Sequence, residues 1–248
     1  VVKKAAKVAL IELLVAKGLS ASREAATKEI LAGLVRVNGQ TIDKVGVTIS
    51  ADAEVRVTSR KEFVSRAAYK LEAALRAFAV PVSGAVCADV GACTGGFTEI
   101  LLQHGAKRVF AIDVGYGDLD WKVRSDPRVT VMERTNARYV ESLEEPASVV
   151  VVDVSFISLD KILPAVVNWF GKPGGHIIAL IKPQFEASRE EIGAGGIVRD
   201  PAVHAAVCAR IEALLPSLGL SKGGLEPSPI LGTEGNKEFL LWALVPST

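Results

Sequence analysis

With 248 residues, 49% of them apolar, the chain is long for one domain, short for two large ones, and apolar enough for a substantial core. Its cysteines, Cys87, Cys93 and Cys208, are odd in number and fit no framework spacing, and His104, His176 and His204 are scattered. This excludes a disulfide-stapled secreted fold and a structural zinc site, and it points to a reducing, cytoplasmic setting. The net charge of +1 hides an asymmetry, because residues 1–59 hold nine basic and six acidic residues and the remainder 20 and 22. A basic N-terminal piece fits an RNA-facing module on a catalytic body, although so small an excess is also ordinary surface solvation.

Lys3, Lys4 and Lys7 before the apolar run Val8–Ala16 imitate a secretory leader. Glu12 interrupts the run, which is too short to span a bilayer, so an amphipathic helix over 8–16 is the expectation. Ser20 or Ser22 can cap a second helix through Arg23, Ala25, Ala26, Ile30 and Leu31, ending at Gly33. Val35 to Ile42 reads as a hairpin around Asn38-Gly39, and Val47, Ile49, Val55 and Val57 continue the alternation of strands. Together these make a small α+β domain over 1–59. It resembles the RNA-binding domain first recognised in ribosomal protein S-four, through Gly18-Leu19, Ser22-Arg23, Ala25-Ala26, Ile30, Gly33, Val35 and Val37-Asn38-Gly39. Arg23 and Lys28 are placed in the first turns of the second helix, where N–H groups and a cation can hold phosphate oxygens. The alternative for Arg23 is a surface ion pair with Glu24 or Glu29. That domain usually opens Arg-Leu-Asp, and here the positions read Ala9-Leu10-Ile11.

A charged linker, Ser59 to Arg66, carries the domain boundary, and Ala67–Ala79 reads as an amphipathic helix that includes Lys70. Strands are predicted at 86–90, 108–114, 128–133, 148–154, 175–181 and 239–245, and helices at 97–105, 159–170 and 201–215. Alternation of this kind implies a mostly parallel sheet covered on both faces, with ligands at the carboxyl ends of its strands. Asp89, Asp113, Asp153 and Lys182 all fall at such ends.

The stretch Asp89-Val90-Gly91-Ala92-Cys93-Thr94-Gly95-Gly96-Phe97-Thr98 reads as a strand, a glycine turn and a helix start. Its spacing is neither the dinucleotide fingerprint nor a Walker loop. It looks like the first motif of S-adenosylmethionine-dependent methyltransferases, and an ordinary βα turn is the bland alternative. Asp113 can accept both hydroxyls of a ribose or cap a helix, and Asn136 can read an adenine edge or form a turn. Asp153 after four valines and Lys182 after an apolar strand would stabilise each other on neighbouring strand ends. Glu238 and Lys70 are further candidates, and a structural ion pair is the alternative for each.

Blocks along nearly the whole chain then match a known family: Val64-Ser65-Arg66, Lys70-Leu71, Asp113-Val114-Gly115-Tyr116-Gly117, Asp153-Val154-Ser155-Phe156-Ile157-Ser158, Lys182-Pro183-Gln184-Phe185-Glu186, Gly195-Gly196-Ile197-Val198-Arg199-Asp200 and Gly235-Asn236-Lys237-Glu238. They resemble the TlyA family, called both hemolysin and ribosomal RNA 2′-O-methyltransferase, whose catalytic half is similar to the FtsJ class. The departures are Ala67-Ala68 for the usual Gly-Gly and Cys93 for the usual Ser.

The resemblance implies a Rossmann-like methyltransferase fold with a mostly parallel seven-stranded sheet over 67–248, after a linker at 60–66. It implies S-adenosylmethionine as cofactor, no metal, and a Lys-Asp-Lys-Glu tetrad on Lys70, Asp153, Lys182 and Glu238. Lys182 is the expected base or orienting group for a ribose 2′-hydroxyl. Asp89, Gly91, Ala92, Thr94, Gly95, Gly96, Phe97, Asp113, Val114, Asn136 and Asp153 are the implied cofactor contacts. Arg23, Lys28, Arg36 and Arg66 are the expected RNA contacts. The implied partner is ribosomal RNA or a ribosomal subunit, with cytidine riboses as targets and no stable membrane association. A membrane-active hemolysin is disfavoured by the lack of a long lytic segment, a silent RNA-binding module by the intact tetrad, and an NAD oxidoreductase by the glycine spacing.

Overall fold

Lys7–Ala9 is a strand, not the opening turn of a helix. The computed structural model describes residues 6–57, 63–232 and 234–247, so Lys3, Lys4 and residues 60–62 of the expected linker lie outside the described residues. Two compact units emerge, Val1–Glu62 and Phe63–Thr248.

In the first unit, β1 (Lys7–Ala9) leads into α1 (Leu10–Ala16) and α2 (Arg23–Leu31), then β2 (Val35–Val37), β3 (Gln40–Ile42), β4 (Thr48–Ser50) and β5 (Val55–Val57). Antiparallel pairing of Val8 with Ile49 is what draws the first residues out of the helical period. Ser22 caps α2 by accepting from the Ala25 N–H at 3.1 Å. Asn38 and Gly39 both have positive φ, 48° and 82°, the backbone that a two-residue hairpin between β2 and β3 requires. Leu10, Leu14, Ala26, Ile30, Val35 and Val55 close a small core.

The second unit runs α3 (Ala68–Phe78), β6 (Val86–Val90), α4 (Gly96–Gln103), β7 (Arg108–Ile112), α5 (Trp121–Arg124), β8 (Val129–Met132), β9 (Val149–Val152), α6 (Leu159–Val166), β10 (Gly175–Ile181), α7 (Pro183–Glu186), α8 (Pro201–Leu214), β11 (Ser221–Pro227) and β12 (Phe239–Val245). One seven-stranded sheet has the order β11-β12-β10-β9-β6-β7-β8. Its strands β10, β9, β6, β7 and β8 pair parallel, whereas β12 is antiparallel to both β10 and β11. The expected helix 159–170 stops at Val166, with Pro164 in its last turns, and continues as a 3-10 turn, Val167–Trp169. Strand β11 has no counterpart in the sequence reading. Cβ atoms on its Gly223 and Gly224 would run into the rings of Trp242 and Phe78, so the strand gives up side chains to seat those rings.

Buried side chains sort by parity onto the two faces of the sheet. Cys87, Val149, Val151, Ile178, Leu180 and Leu240 pack with Leu71, Ala74, Ile100 and Leu101 of α3 and α4. Ala88, Val150, Val152, Ala179, Ile181 and Leu241 pack on the other side with α6 and α8. Among the described residues no helix is long and apolar enough to cross a membrane.

Candidate active site

Period-two alternation carried one step past the strand ends fixes where the charged residues go. Asp89 follows Cys87, Asp153 follows Val151, Lys182 follows Leu180 and Glu238 precedes Leu240, so all four belong to the face covered by α3 and α4. Register adds the second coordinate. Ile181 faces Phe239, which makes Lys182 and Glu238 neighbours across the strand boundary, and Ala179 faces Val152, which brings the end of β9 alongside. Lys70, in the first turn of α3, supplies the remaining charge.

Two lysine–carboxylate pairs result. Lys70 Nζ donates to Glu238 Oε2 at 2.5 Å, with the two residues 8% and 2% exposed. Charges this dry are tolerated because each compensates the other. Lys182 Nζ lies 2.5 Å from Asp153 Oδ1. That contact is an ion pair without hydrogen-bond alignment, since Asp153 Oδ1 has no hydrogen-bond partner. The aligned bond of Lys182 goes to Ser155 Oγ, at 3.1 Å. Such a site offers two cations held by two anions at the carboxyl edge of the sheet, suited to holding a substrate hydroxyl and handling its proton.

Beside it lies the glycine turn. Gly91 has φ +86°, and a Cβ there would fall on the backbone carbonyl of Asp153, so only glycine lets the turn pass the end of β9. Cys93, with φ +46°, donates its N–H to Asp113 Oδ2 at 2.8 Å, and Gly115 N–H donates to Asp113 Oδ1 at 2.7 Å. Each carboxylate oxygen keeps a second lone pair. An open, shallow depression is lined here by Ala92, Cys93, Asp113, Asp118, Leu119 and Glu133, among others. The apolar walls, the carboxylate at the end of β7 and the Cβ-free turn fit a nucleoside cofactor.

Thr94, Gly95, Gly96, Phe97, Val114 and Asn136, also expected at the cofactor, do not themselves line that depression. Phe97 is buried in the core beneath α4. Val114 is exposed, and Gly96 packs against Ser65, Ala67 and the Ala68 backbone. Thr94 accepts at its carbonyl from the Asp120 N–H, and the Gly95 carbonyl accepts from Glu99. Asn136 Oδ1 accepts from the Arg138 N–H at 3.1 Å, which is the turn-forming alternative.

Asp89 is 0% exposed, accepts from Thr98 Oγ1 at 2.6 Å, and leaves Oδ1 without a partner. Burial pushes its pKa up to about 7, helped by the nearby charges of Asp153 and Asp113 and opposed by the Thr98 bond. A carboxyl whose folded pKa lies above its unfolded value stabilises the fold fully at acid pH and loses that contribution as pH rises through the folded pKa. Between pH 4 and 7 the change is on the order of 4 kcal/mol. Asp89→Asn is therefore expected to flatten the pH dependence of unfolding free energy over that window, measured by urea denaturation of wild type and variant at pH 4 and 7.

In the first unit, Arg23 is ion-paired with Glu12 at 2.6 Å, neither Glu24 nor Glu29 being its partner. Lys28 lies in the last turn of α2, not near its N-terminus, and pairs with Glu24 at 2.8 Å. Arg36 is exposed and faces Arg56 across β2 and β5. In the second unit, Arg66 donates to the Leu231 carbonyl at 3.1 Å. Residues 63–66 of the expected linker belong to this unit, where the Val64 N–H donates to the buried carboxylate of Glu99 at 2.7 Å.

Residues 63–244 match the FtsJ-like methyltransferase family and residues 10–55 the S4 domain. The 16S/23S rRNA (cytidine-2′-O)-methyltransferase TlyA of Mycobacterium tuberculosis is 44% identical over 92% of this chain and 87% of that protein. The chain belongs to the TlyA family of FtsJ-like methyltransferases. Another TlyA relative, Hemolysin A of Brachyspira hyodysenteriae, is 39% identical over 93% of this chain and 97% of its own. A solved structure from Streptococcus thermophilus, also named for a hemolysin, superposes with a TM-score of 0.74 at 43% identity, covering 98% of this chain and 90% of that one.

Sequence reasoning singled out neither of two residues at this sheet edge. Ser155 holds Lys182, as described above. Phe156 is 90% exposed with φ +64°, a strained backbone for an aromatic residue, and stands at the same sheet edge. An apolar residue with no alternation around it gives no signal in sequence; only the left-handed backbone reveals that its exposure is built.

Proposed function

We propose that the chain is an S-adenosylmethionine-dependent 2′-O-methyltransferase of ribosomal RNA, acting on cytidine riboses in small- and large-subunit RNA. The observation that carries this reading is the gathering of Lys70, Asp153, Lys182 and Glu238 on one face and one edge of the sheet. When bound, S-adenosylmethionine supplies an electrophilic methyl group. Asp113 would hold its ribose, the Gly91–Cys93 turn its backbone-facing side, and Ala92 and Leu119 the walls of its pocket.

Lys182, entering the reaction as the neutral amine, orients the attacking 2′-hydroxyl and receives its proton, and Asp153 balances the charge of the ammonium so formed. Glu238 accepts from Lys70 and holds its amine in place. Phe156 offers an aromatic face on which an unstacked base can rest, in keeping with RNA recognition by stacking. The first unit, taken as an RNA-binding domain over 1–59 with a linker at 60–66 and a catalytic domain over 67–248, brings phosphate contacts through Arg36 and, once their carboxylate partners are displaced, Arg23 and Lys28; Arg66 adds one from the catalytic side. Ribosomal RNA is a cytoplasmic substrate, and the three unpaired cysteines suit that compartment.

The test is to incubate separated ribosomal subunits and naked ribosomal RNA with the protein and methyl-labelled S-adenosylmethionine, then map stops by primer extension at limiting nucleotide. Label and a discrete stop at a cytidine are expected. Label on protein or lipid fractions with none on RNA would overturn the reading.

A further inference from the structure

We propose that Ser155 is the positioning residue for Lys182, and that the loop after β9 is a clip whose purpose is to aim that amine. This deepens the proposed function and rests on it. Asp153 supplies countercharge at 2.5 Å but no aligned bond, so charge alone leaves the ammonium free to rotate about its last side-chain bond. The directional contact is the one from Lys182 Nζ to Ser155 Oγ, at 3.1 Å. With one N–H spent on Ser155 and the charge anchored by Asp153, the two remaining tetrahedral directions at Nζ are set.

The loop is tied to the segment after β10 at successive points. Ser155 meets Lys182, the Phe156 ring lies 4.9 Å from the Phe185 ring, and Ser158 Oγ donates to Glu186 Oε2 at 2.6 Å. The Leu159 N–H adds a bond to Glu186 Oε1 at 2.8 Å, and Arg210 holds the same carboxylate. The left-handed backbone at Phe156 reverses the chain between these contacts, so the hydroxyl of Ser155 meets the lysine while the ring next to it stands in solvent. The Ser158 and Leu159 contacts also cap α6, so the part of the clip that serves Lys182 is the Ser155 bond and the ring pair beside it.

The experiment compares wild type, Ser155→Ala and Ser155→Thr in the full chain. Steady-state methylation of ribosomal subunits gives kcat and KM, calorimetry gives S-adenosylmethionine affinity, and thermal denaturation reports folding. Ser155→Ala is expected to lower kcat about tenfold, the worth of one hydrogen bond. KM and cofactor affinity should stay within about twofold of wild type. Ser155→Thr, which keeps the hydroxyl, should restore kcat to within about threefold of wild type. A Ser155→Ala kcat equal to wild type overturns the role, as does a threonine variant no better than alanine or a cofactor affinity that falls in step with kcat. An inactive wild type would instead overturn the functional reading, and the role with it.

Discussion

Lys182→Ala is expected to lower the rate of methyl transfer by about 100- to 10,000-fold, the usual worth of a positioned proton-handling group. Cofactor binding should be nearly unchanged. Lys182 follows β10 and contacts Asp153 and Ser155, whereas the depression is lined from β7, β8 and the turns that follow β6, β7 and β8. Binding and chemistry therefore separate in space, and calorimetry with S-adenosylmethionine alongside single-turnover methylation separates them in measurement. A variant that methylates at the normal rate would remove Lys182 from the mechanism. One that loses cofactor affinity instead would move it to the cofactor site.

Glu238→Ala should produce the largest loss of stability. It strands Lys70 at 8% exposure, with its 2.5 Å partner gone. Breaking one side of a buried pair costs about 3–5 kcal/mol, because the surviving charge is left uncompensated. In a unit of this size that lowers Tm by roughly 10 °C. Replacing both residues, Lys70→Met with Glu238→Leu, should recover most of the stability, since an apolar pair of similar volume needs no countercharge. The double variant should nevertheless be inactive. A stable, active double variant would reduce the pair to a structural ion pair, the reading that sequence alone leaves open for every member of the cluster. Urea titration at two temperatures and a methylation assay on the same preparations decide it.

The alternating strands from Val86 onward were legible because they are continuous apolar runs ending in single polar residues, and strand ends are where such folds place ligands. Glycine spacing showed the turn between β6 and α4 for the same reason: at Gly91 no other residue fits. What escaped was non-local. Lys7–Ala9 becomes a strand because of a partner some forty residues later, and β11 is invisible because its glycines make room for Trp242 and Phe78, side chains far away in sequence. Phe97 sits among plausible cofactor contacts in the motif, yet the helix turns its ring into the core. Arg23 chose Glu12, on the preceding helix, over the carboxylates nearest in its own. Ser155 stood in a matching block without a role, because its contact with Lys182 depends on how the loop turns at the next residue.

Identifying the methylated nucleoside tests the central claim most directly. Ribosomal RNA labelled by the protein and digested to nucleosides should carry its label in a ribose-methylated cytidine when wild type is used, and carry none with Lys182→Ala. Label recovered in a base-methylated nucleoside would contradict the account, because a lysine beside a 2′-hydroxyl has no part in that chemistry.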